Sequence, residues 1–347
     1  ALLSSAGILT LILLMMYSYY GLLKVRWRAL SLRLGILFTA FTALVFSMKP
    51  LIPTNDHYVN LFLDLHVAAV IPQKPTEVVI YSQTEKSQPR EDPEGPLSNI
   101  LKTGVLKVGY NTEEMPFCYL NQKGDLTGYD TAFMYQLAND LDCKLEFVPL
   151  HFDALAEELD KGLYDIGIGS ILMTEERIAQ MDFTQPYDEE DNVLVVSLDR
   201  VSEFLQLDRV VQRDHFTIGT HGAYLEIAHR HFPKAQVIET EHSKIADLFA
   251  DHTIDALLWS RRASLTWCLM HTGFVVVDYQ QQLGKVYIAF PVHTGSAKFI
   301  SFLNNWLLLK KLSGFQSEMR SYWFEGNPVK KPEPRWSILR NLLHIGS

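Results

Sequence analysis

From Leu97 onward the chain alternates short apolar runs with amphipathic ones, joined by connections of a few residues. Val105–Tyr110, Lys144–Pro149 and Tyr164–Ile168 predict strands, while Tyr129–Leu141 and His151–Lys161 carry apolar residues at helical spacing. Thr174–Met181 opens a further helix, with Thr174 as its N-cap. The same grammar resumes with strands at Thr217–Gly219, Ala235–Glu239, Asp255–Trp259 and Phe274–Val277, separated by helices at Tyr224–His231 and Ser243–Asp251. A strand at Lys285–Val292 and helices at Ser296–Gly314 and Phe315–Trp323 complete it. This alternation predicts an α/β fold whose sheets are built largely from parallel strands. Two such units joined by an extended stretch, Asn192–Ser197, predict two lobes. Ligands of such folds sit outside strand C-termini, close to helix N-termini.

The front of the chain is different. Ala1 to Leu23 carries no charge; at about 1.5 Å per residue it spans roughly 34 Å, enough to cross a bilayer. Lys24-Val25-Arg26-Trp27-Arg28 follows, and then a second uncharged run, Leu34 to Met48. Residues 1–48 therefore predict one or two transmembrane helices, with the basic loop held in the cytoplasm and everything after Met48 outside it. The start, an Ala inside an apolar run, points to a processed chain or to a fragment of a longer membrane protein. Residues 49–96 are punctuated by proline and read as a linker, within which Tyr58–Val70 is apolar enough to pack as a short helix or strand.

Net charge divides along the same line. The first fifty residues hold five basic groups and no acid, so a total of −9 leaves −14 on the rest. An acidic body of that size would repel phosphates, which argues against a nucleic-acid partner. With 48% hydrophobic and 12% aromatic residues it can bury a core and is not a disordered chain. Cys118, Cys143 and Cys268 are too few and too scattered for a disulfide framework or a CxxC metal knuckle. The sequence holds no GxSxG elbow, Walker loop or HExxH, and His229 and His231 point to different faces of one helix. No cofactor, metal or catalytic group is expected on these grounds.

A set of short motifs then occurs in a fixed order: Leu106-Lys107-Val108-Gly109-Tyr110, Met115-Pro116-Phe117, Gly124-Asp125-Leu126-Thr127-Gly128-Tyr129-Asp130, Phe152-Asp153-Ala154-Leu155, Gly162-Leu163-Tyr164-Asp165, Thr174-Glu175-Glu176-Arg177 and Asp182-Phe183-Thr184-Gln185-Pro186-Tyr187. In order and spacing they resemble the type 2 periplasmic solute-binding proteins of the amino-acid-binding kind, family 3. The resemblance implies a solute-binding domain at 97–326 made of two lobes and two hinge strands. Lobe 1 would be about 97–193 with 285–326, lobe 2 about 194–284, and 327–347 would form a tail. That tail resembles those seen where this domain is fused behind a cation-coupled symporter, which makes a fused or associated transporter body the expected partner. The implied place is the periplasmic or extracellular face of the inner membrane.

Carried onto this sequence, the resemblance implies that Arg177 grips a ligand carboxylate. Thr174 and Ser170 would donate hydroxyl or backbone groups, and Phe152 would stack on the ligand's side chain. Several positions depart from the family's pattern. Leu172 stands where a hydroxyl is usual, Glu114 where an aromatic is usual and Asn111 where an Asp is usual. In lobe 2, Gly222-Ala223 lacks the usual hydroxyl, and the place of the ammonium-binding Asp, five positions after Asp255, falls on Ser260. Two ligand classes follow. Either Glu113 or Glu114 supplies the missing negative charge and the ligand is an amino acid, or Arg261 or Arg262 turns inward and the ligand is a dicarboxylate or other anionic acid. The expected function is extracytoplasmic binding of a small carboxylate-bearing solute for uptake. A sensory receptor domain is the alternative, and a dehydratase-type enzyme using Glu114 in the cleft comes third.

Overall fold

A computed structural model describes residues 95–327 without a break. Before them it describes 62–71 and 77–84 and the scattered positions 16–17, 19–20, 33, 35–43, 59–60, 75 and 89. The chain divides into two units, Ala1–Thr54 and Asn55–Ser347. In the first, residues 35–43 are helical. The expected membrane spans lie mostly outside the described residues, as does the tail after Asn327. Among the described residues no helix is long and apolar enough to cross a membrane.

In the second unit residues 59–60 and 62–63 are helical, and α1 (Val67–Val70), β1 (Val78–Ile80), α2 (Pro96–Thr103) and β2 (Val105–Tyr110) follow. Pro96 sits in the first turn of α2, where no intrahelical donor is needed, and Gly104 ends it at φ +65°. A small hairpin, β3 (Tyr119–Leu120) and β4 (Leu126–Thr127), leads into α3 (Tyr129–Asp140) and β5 (Lys144–Pro149). Then follow α4 (Leu155–Asp160), β6 (Ile166–Ile168), α5 (Glu175–Ile178) and β7 (Asp182–Phe183).

The long strand β8 (Asp188–Ser197) carries the chain into lobe 2. There lie α6 (Leu207–Val211), β9 (Thr217–Thr220), α7 (Tyr224–His231), β10 (Gln236–Glu239), α8 (Ile245–Ala250), β11 (Ala256–Ser260), α9 (Arg261–Met270) and β12 (Phe274–Val277). The chain returns through β13 (Lys285–Ile288) and β14 (Pro291–Val292) to α10 (Ala297–Leu312) and α11 (Phe315–Glu325).

The described strands form one sheet per lobe and the small hairpin. Lobe 1 has the order β1-β5-β2-β6-β14-β7, parallel from β1 to β6, and lobe 2 has β10-β9-β11-β8-β12. Each lobe locks its two central parallel strands with the same clasp. Asp165, just before β6, accepts from the Lys107 N–H of β2 at 2.8 Å, and Asp255, just before β11, accepts from the Thr217 N–H of β9 at 2.9 Å. The core of lobe 1 is aromatic, with the Tyr187 ring stacked on Phe290 at 4.1 Å and Tyr129 and Phe133 packed beside them.

Three details refine the reading of the sequence. First, part of the expected 49–96 linker belongs to lobe 1. Leu65, Val67, Val70 and Ile71 are buried in its core, and β1 pairs with β5 from Val78↔Leu145 to Ile80↔Phe147. Val78-Val79-Ile80 is β-branched and satisfies the otherwise open edge of β5, whereas the prolines and polar residues around it set the compositional signal. Second, the extended stretch begins at Asp188 rather than Asn192, because Asp188–Asp191 pairs with β13 across the hinge. Third, the expected strand Lys285–Val292 is two strands. β13 pairs with β8 and β14 with β6 and β7, and at the break the Phe290 N–H donates to Thr184 Oγ1 at 3.1 Å.

Candidate functional site

A cleft of about 780 Å³ opens between the lobes. On the lobe 1 side it is lined by Asn111 after β2, Glu113 and Glu114, Phe152, and Ser170, Leu172 and Arg177 after β6. On the lobe 2 side it is lined by His221-Gly222-Ala223-Tyr224 after β9 and Thr240–Lys244 after β10. Of the residues proposed from sequence, Asn111, Glu114, Phe152, Ser170, Leu172, Arg177, Gly222 and Ala223 meet there. Thr174 and Ser260 do not line it. A larger hollow of about 920 Å³, on the outer side of lobe 1 around Asp160 and His293, contains none of these residues.

The turn after β6 is held from beneath. Asp130, fully buried on α3, accepts from the Gly169 N–H at 3.0 Å, the Ser170 N–H at 2.9 Å and the Tyr187 hydroxyl at 2.6 Å. Burial pushes its carboxyl up to about 6 against these donors, with Asp188 adding to the rise. The turn needs that support, because Gly169 lies at φ +117° and Ser170 at φ +53°, a conformation that costs a side chain energy. Nothing in the spacing of its motif marks Asp130 for this role; its place under the turn does.

Thr174 acts on the site at one remove. Its hydroxyl accepts from the Arg177 N–H at 3.3 Å and so caps the short α5. Arg177 donates from Nη1 to the Leu172 carbonyl at 3.1 Å, and its guanidinium stands 5.8 Å from the centre of the Phe152 ring. Among the described residues no carboxylate forms an ion pair with it. Burial draws the Arg177 pKa down, opposed by the charges of Glu176, Tyr224, Glu114 and Asp153. A guanidinium remains a cation under such a shift, and it lines the cleft as one.

Lobe 2 brings residues that sequence reading missed. His221 and His242 pack ring to ring at 4.2 Å, with Trp259 against both at 5.3 and 4.8 Å. Both face Glu114 across the cleft. His221 Nε2 lies 3.4 Å and His242 Nε2 3.5 Å from Glu114 Oε1, while His242 Nδ1 lies 3.3 Å from Glu113 Oε2. Burial lowers the His242 pKa, but the Glu113 contact and the charges of Glu114 and Glu113 outweigh it and leave the value raised. Glu113 is lowered in return, by the same contact with His242. Ser260 is fully buried at the end of β11.

Arg261 and Arg262 do not line the cleft and are paired with acids elsewhere. Arg261 pairs with Asp278 at 2.9 Å. Arg262 pairs with Glu190, lies 3.4 Å from Asp188 and covers the Phe324 ring at 4.2 Å. Arg320 of α11 also pairs with Asp188. Two buried acids on β8 are thus neutralised by two arginines. Burial still pushes Glu190 up to about 7, against the pull of Arg262 and with Asp188 adding to the rise.

Comparison with known proteins agrees with this geometry. Residues 106–326 match the family described as bacterial extracellular solute-binding proteins, family 3. Cyclohexadienyl dehydratase of Pseudomonas aeruginosa is 24% identical over 234 residues, which cover 67% of this chain and 87% of that protein. The L-cystine-binding protein TcyJ of Escherichia coli is 32% identical over 94 residues, 27% of this chain and 35% of TcyJ. Among solved structures, the ancestral amino acid-binding protein AncCDT-1, a precursor of cyclohexadienyl dehydratase, superposes with a TM-score of 0.59 at 25% identity. The match covers 66% of this chain and 99% of that one. The amino acid ABC transporter substrate-binding protein AbpA of Streptococcus pneumoniae, bound to L-arginine, shares the fold with a TM-score of 0.58 at 18% identity, over 67% of this chain and 100% of AbpA. Two α/β lobes, a cleft between them and a family match over more than half of the chain lead to one assignment: the protein belongs to the bacterial extracellular solute-binding proteins, family 3.

Proposed function

We propose that the protein captures an amino acid on the periplasmic or extracellular side of the inner membrane and delivers it for uptake. The observation that carries this reading is the presence of both charges in one cleft: Arg177, paired with no carboxylate among the described residues, and the two acids Glu113 and Glu114. A zwitterion satisfies both charges, its carboxylate on Arg177 through charge-assisted hydrogen bonds and its ammonium beside Glu114. A dicarboxylate would place its second charge against the two acids. Ser170 and Asn111 complete the polar wall, Phe152 and Leu172 the apolar one, and Gly222 and Ala223 leave room at the lobe 2 helix start. The apolar N-terminal segments tether the domain to the membrane, and a transporter body, fused or associated, receives the cargo.

Thermal melting of the full chain against a panel of amino acids and dicarboxylates tests this reading. An amino acid should raise the melting temperature and dicarboxylates should not; a panel in which only dicarboxylates act would overturn it. One observation favours a second reading. Glu114 is a buried carboxylate facing the ligand, and the Pseudomonas aeruginosa dehydratase is similar over 87% of its length. Incubating the panel's best ligand with protein and following it by mass would reveal water loss if the cleft catalyses it. We assign capture without turnover.

A further inference from the structure

We propose that Glu114, His221 and His242 form a binding site for a divalent transition metal, zinc being the best fit, at the junction of the two lobes. The three donor atoms lie within 4.8 Å of one another. The two edges from Glu114 Oε1, 3.4 Å to His221 Nε2 and 3.5 Å to His242 Nε2, are what a tetrahedral centre requires. With metal–ligand bonds of about 2.0–2.1 Å, the edges of a tetrahedron are roughly 3.3–3.4 Å. Two imidazoles and a carboxylate are also a donor set that suits zinc and its neighbours rather than magnesium or calcium.

The surroundings fit the same purpose. The contacts to Glu114 are not aligned as hydrogen bonds, so both His221 ring nitrogens and His242 Nε2 are buried without a hydrogen-bond partner. Such atoms are costly unless something fills the space between them. Glu113 stands 3.3 Å from His242 Nδ1. That position keeps the proton on Nδ1 and turns the Nε2 lone pair toward Glu114, the outer-shell arrangement common to metal-bound histidines. Trp259 packs on both rings and fixes their planes.

Because the histidines belong to lobe 2 and Glu114 to lobe 1, a bound ion would tie the closed lobes together. All three residues line the cleft, so a fourth donor would come from water or from the cleft's ligand. This inference does not rest on the amino-acid reading, since the ion and a ligand ammonium would compete for Glu114.

Titration of the chelator-stripped full chain with zinc chloride tests it, by calorimetry and by metal content after gel filtration. One zinc per chain is expected. His221→Ala and His242→Ala should each lose at least ~100-fold in affinity, and Glu113→Gln roughly 10- to 100-fold through the outer shell. Cobalt loaded in place of zinc should give the intense visible bands of a four-coordinate site, weakened in Glu114→Gln. Melting curves in metal-free buffer verify that each variant folds. Failure to bind zinc, or equal binding by the folded H221A/H242A double variant, would overturn the site. The amino-acid panel run on the same stripped protein keeps the two readings apart, since a ligand shift without zinc binding removes the metal site alone.

Discussion

The two lobes share a frame and divide the chemistry. Each has parallel central strands locked by one aspartate, Asp165 in lobe 1 and Asp255 in lobe 2. What they present to the cleft is unlike. In lobe 1 the turn carrying Ser170 is fixed from below by Asp130, and Arg177 is set by the Thr174 cap and the Leu172 carbonyl. In lobe 2 the imidazole nitrogens of His221 and His242 are aimed at the opposite wall without a hydrogen-bond partner of their own, apart from the side of His242 that meets Glu113. One wall is held by its own hydrogen bonds; the other keeps ring nitrogens without a partner. The frame is repeated because sheet packing demands it, whereas the loops at the strand ends are free to differ.

That contrast can be broken at several points. The largest effect should come from Asp130→Ala, which leaves two buried N–H groups and the Tyr187 hydroxyl without an acceptor. At about 1–3 kcal/mol for each of the three unsatisfied donors, a loss of at least about 3 kcal/mol is expected in denaturant titration. Unchanged stability would mean that the lobe 1 wall is not held from below. Next, Arg177→Met should weaken binding of the panel's best amino acid at least ~100-fold by calorimetry, with the melting temperature of the free protein little altered. Retained affinity would move the carboxylate grip elsewhere.

Stability should also depend on pH through the buried acids. Asp130 is raised from an ordinary 3.8 to about 6 and Glu190 from 4.5 to about 7. With the folded values raised, the folded state holds protons that the unfolded state has released. The stabilisation is therefore full below pH 4 and is lost as pH rises through 6 and 7. Melting near pH 5 should exceed melting near pH 8 by several degrees, and Asp130→Asn should flatten the difference; an unchanged slope in that variant would remove Asp130 as its source. The smallest effect is assigned to Arg261→Ala. Its partner Asp278 lies outside the cleft, so ligand affinity should change by no more than about twofold. A larger loss would bring the anionic-acid reading back.

Much of lobe 1 was legible in the sequence. Short apolar runs in the strands, helical spacing in Tyr129–Leu141 and a Thr cap before Arg177 are local signals, and they led to the wall that carries Arg177. Lobe 2 was harder, because its site is made by register. Parallel pairing of β9 with β10 sets Ile238 beside Gly219 and Glu239 beside Thr220, and this alone brings His221 and His242 to one end of the sheet. A single histidine after each strand leaves no periodic trace. Counting from Asp255 leads to Ser260, which is buried and does not line the cleft, for a related reason. Neighbouring residues of a strand face opposite ways, and it is the Trp259 ring that lies against the site. The two arginines after it read as available because nothing in their spacing reveals their partners, Asp278 for Arg261, and Asp188 and Glu190, some seventy residues earlier, for Arg262.

Strand β1 has a practical consequence for anyone who would cut this protein down to its receptor. A boundary drawn at the family match would strip the strand away and leave the full length of β5 with bare donors and acceptors on one side, a template for pairing with another molecule. It would also uncover the apolar surface now sealed by Leu65, Val67, Val70 and Ile71. A soluble receptor fragment should therefore begin before Phe62; one that begins at Leu97 should be the stickier of the two, and light scattering of the two fragments side by side would measure how much of the domain's solubility is owed to this upstream strap.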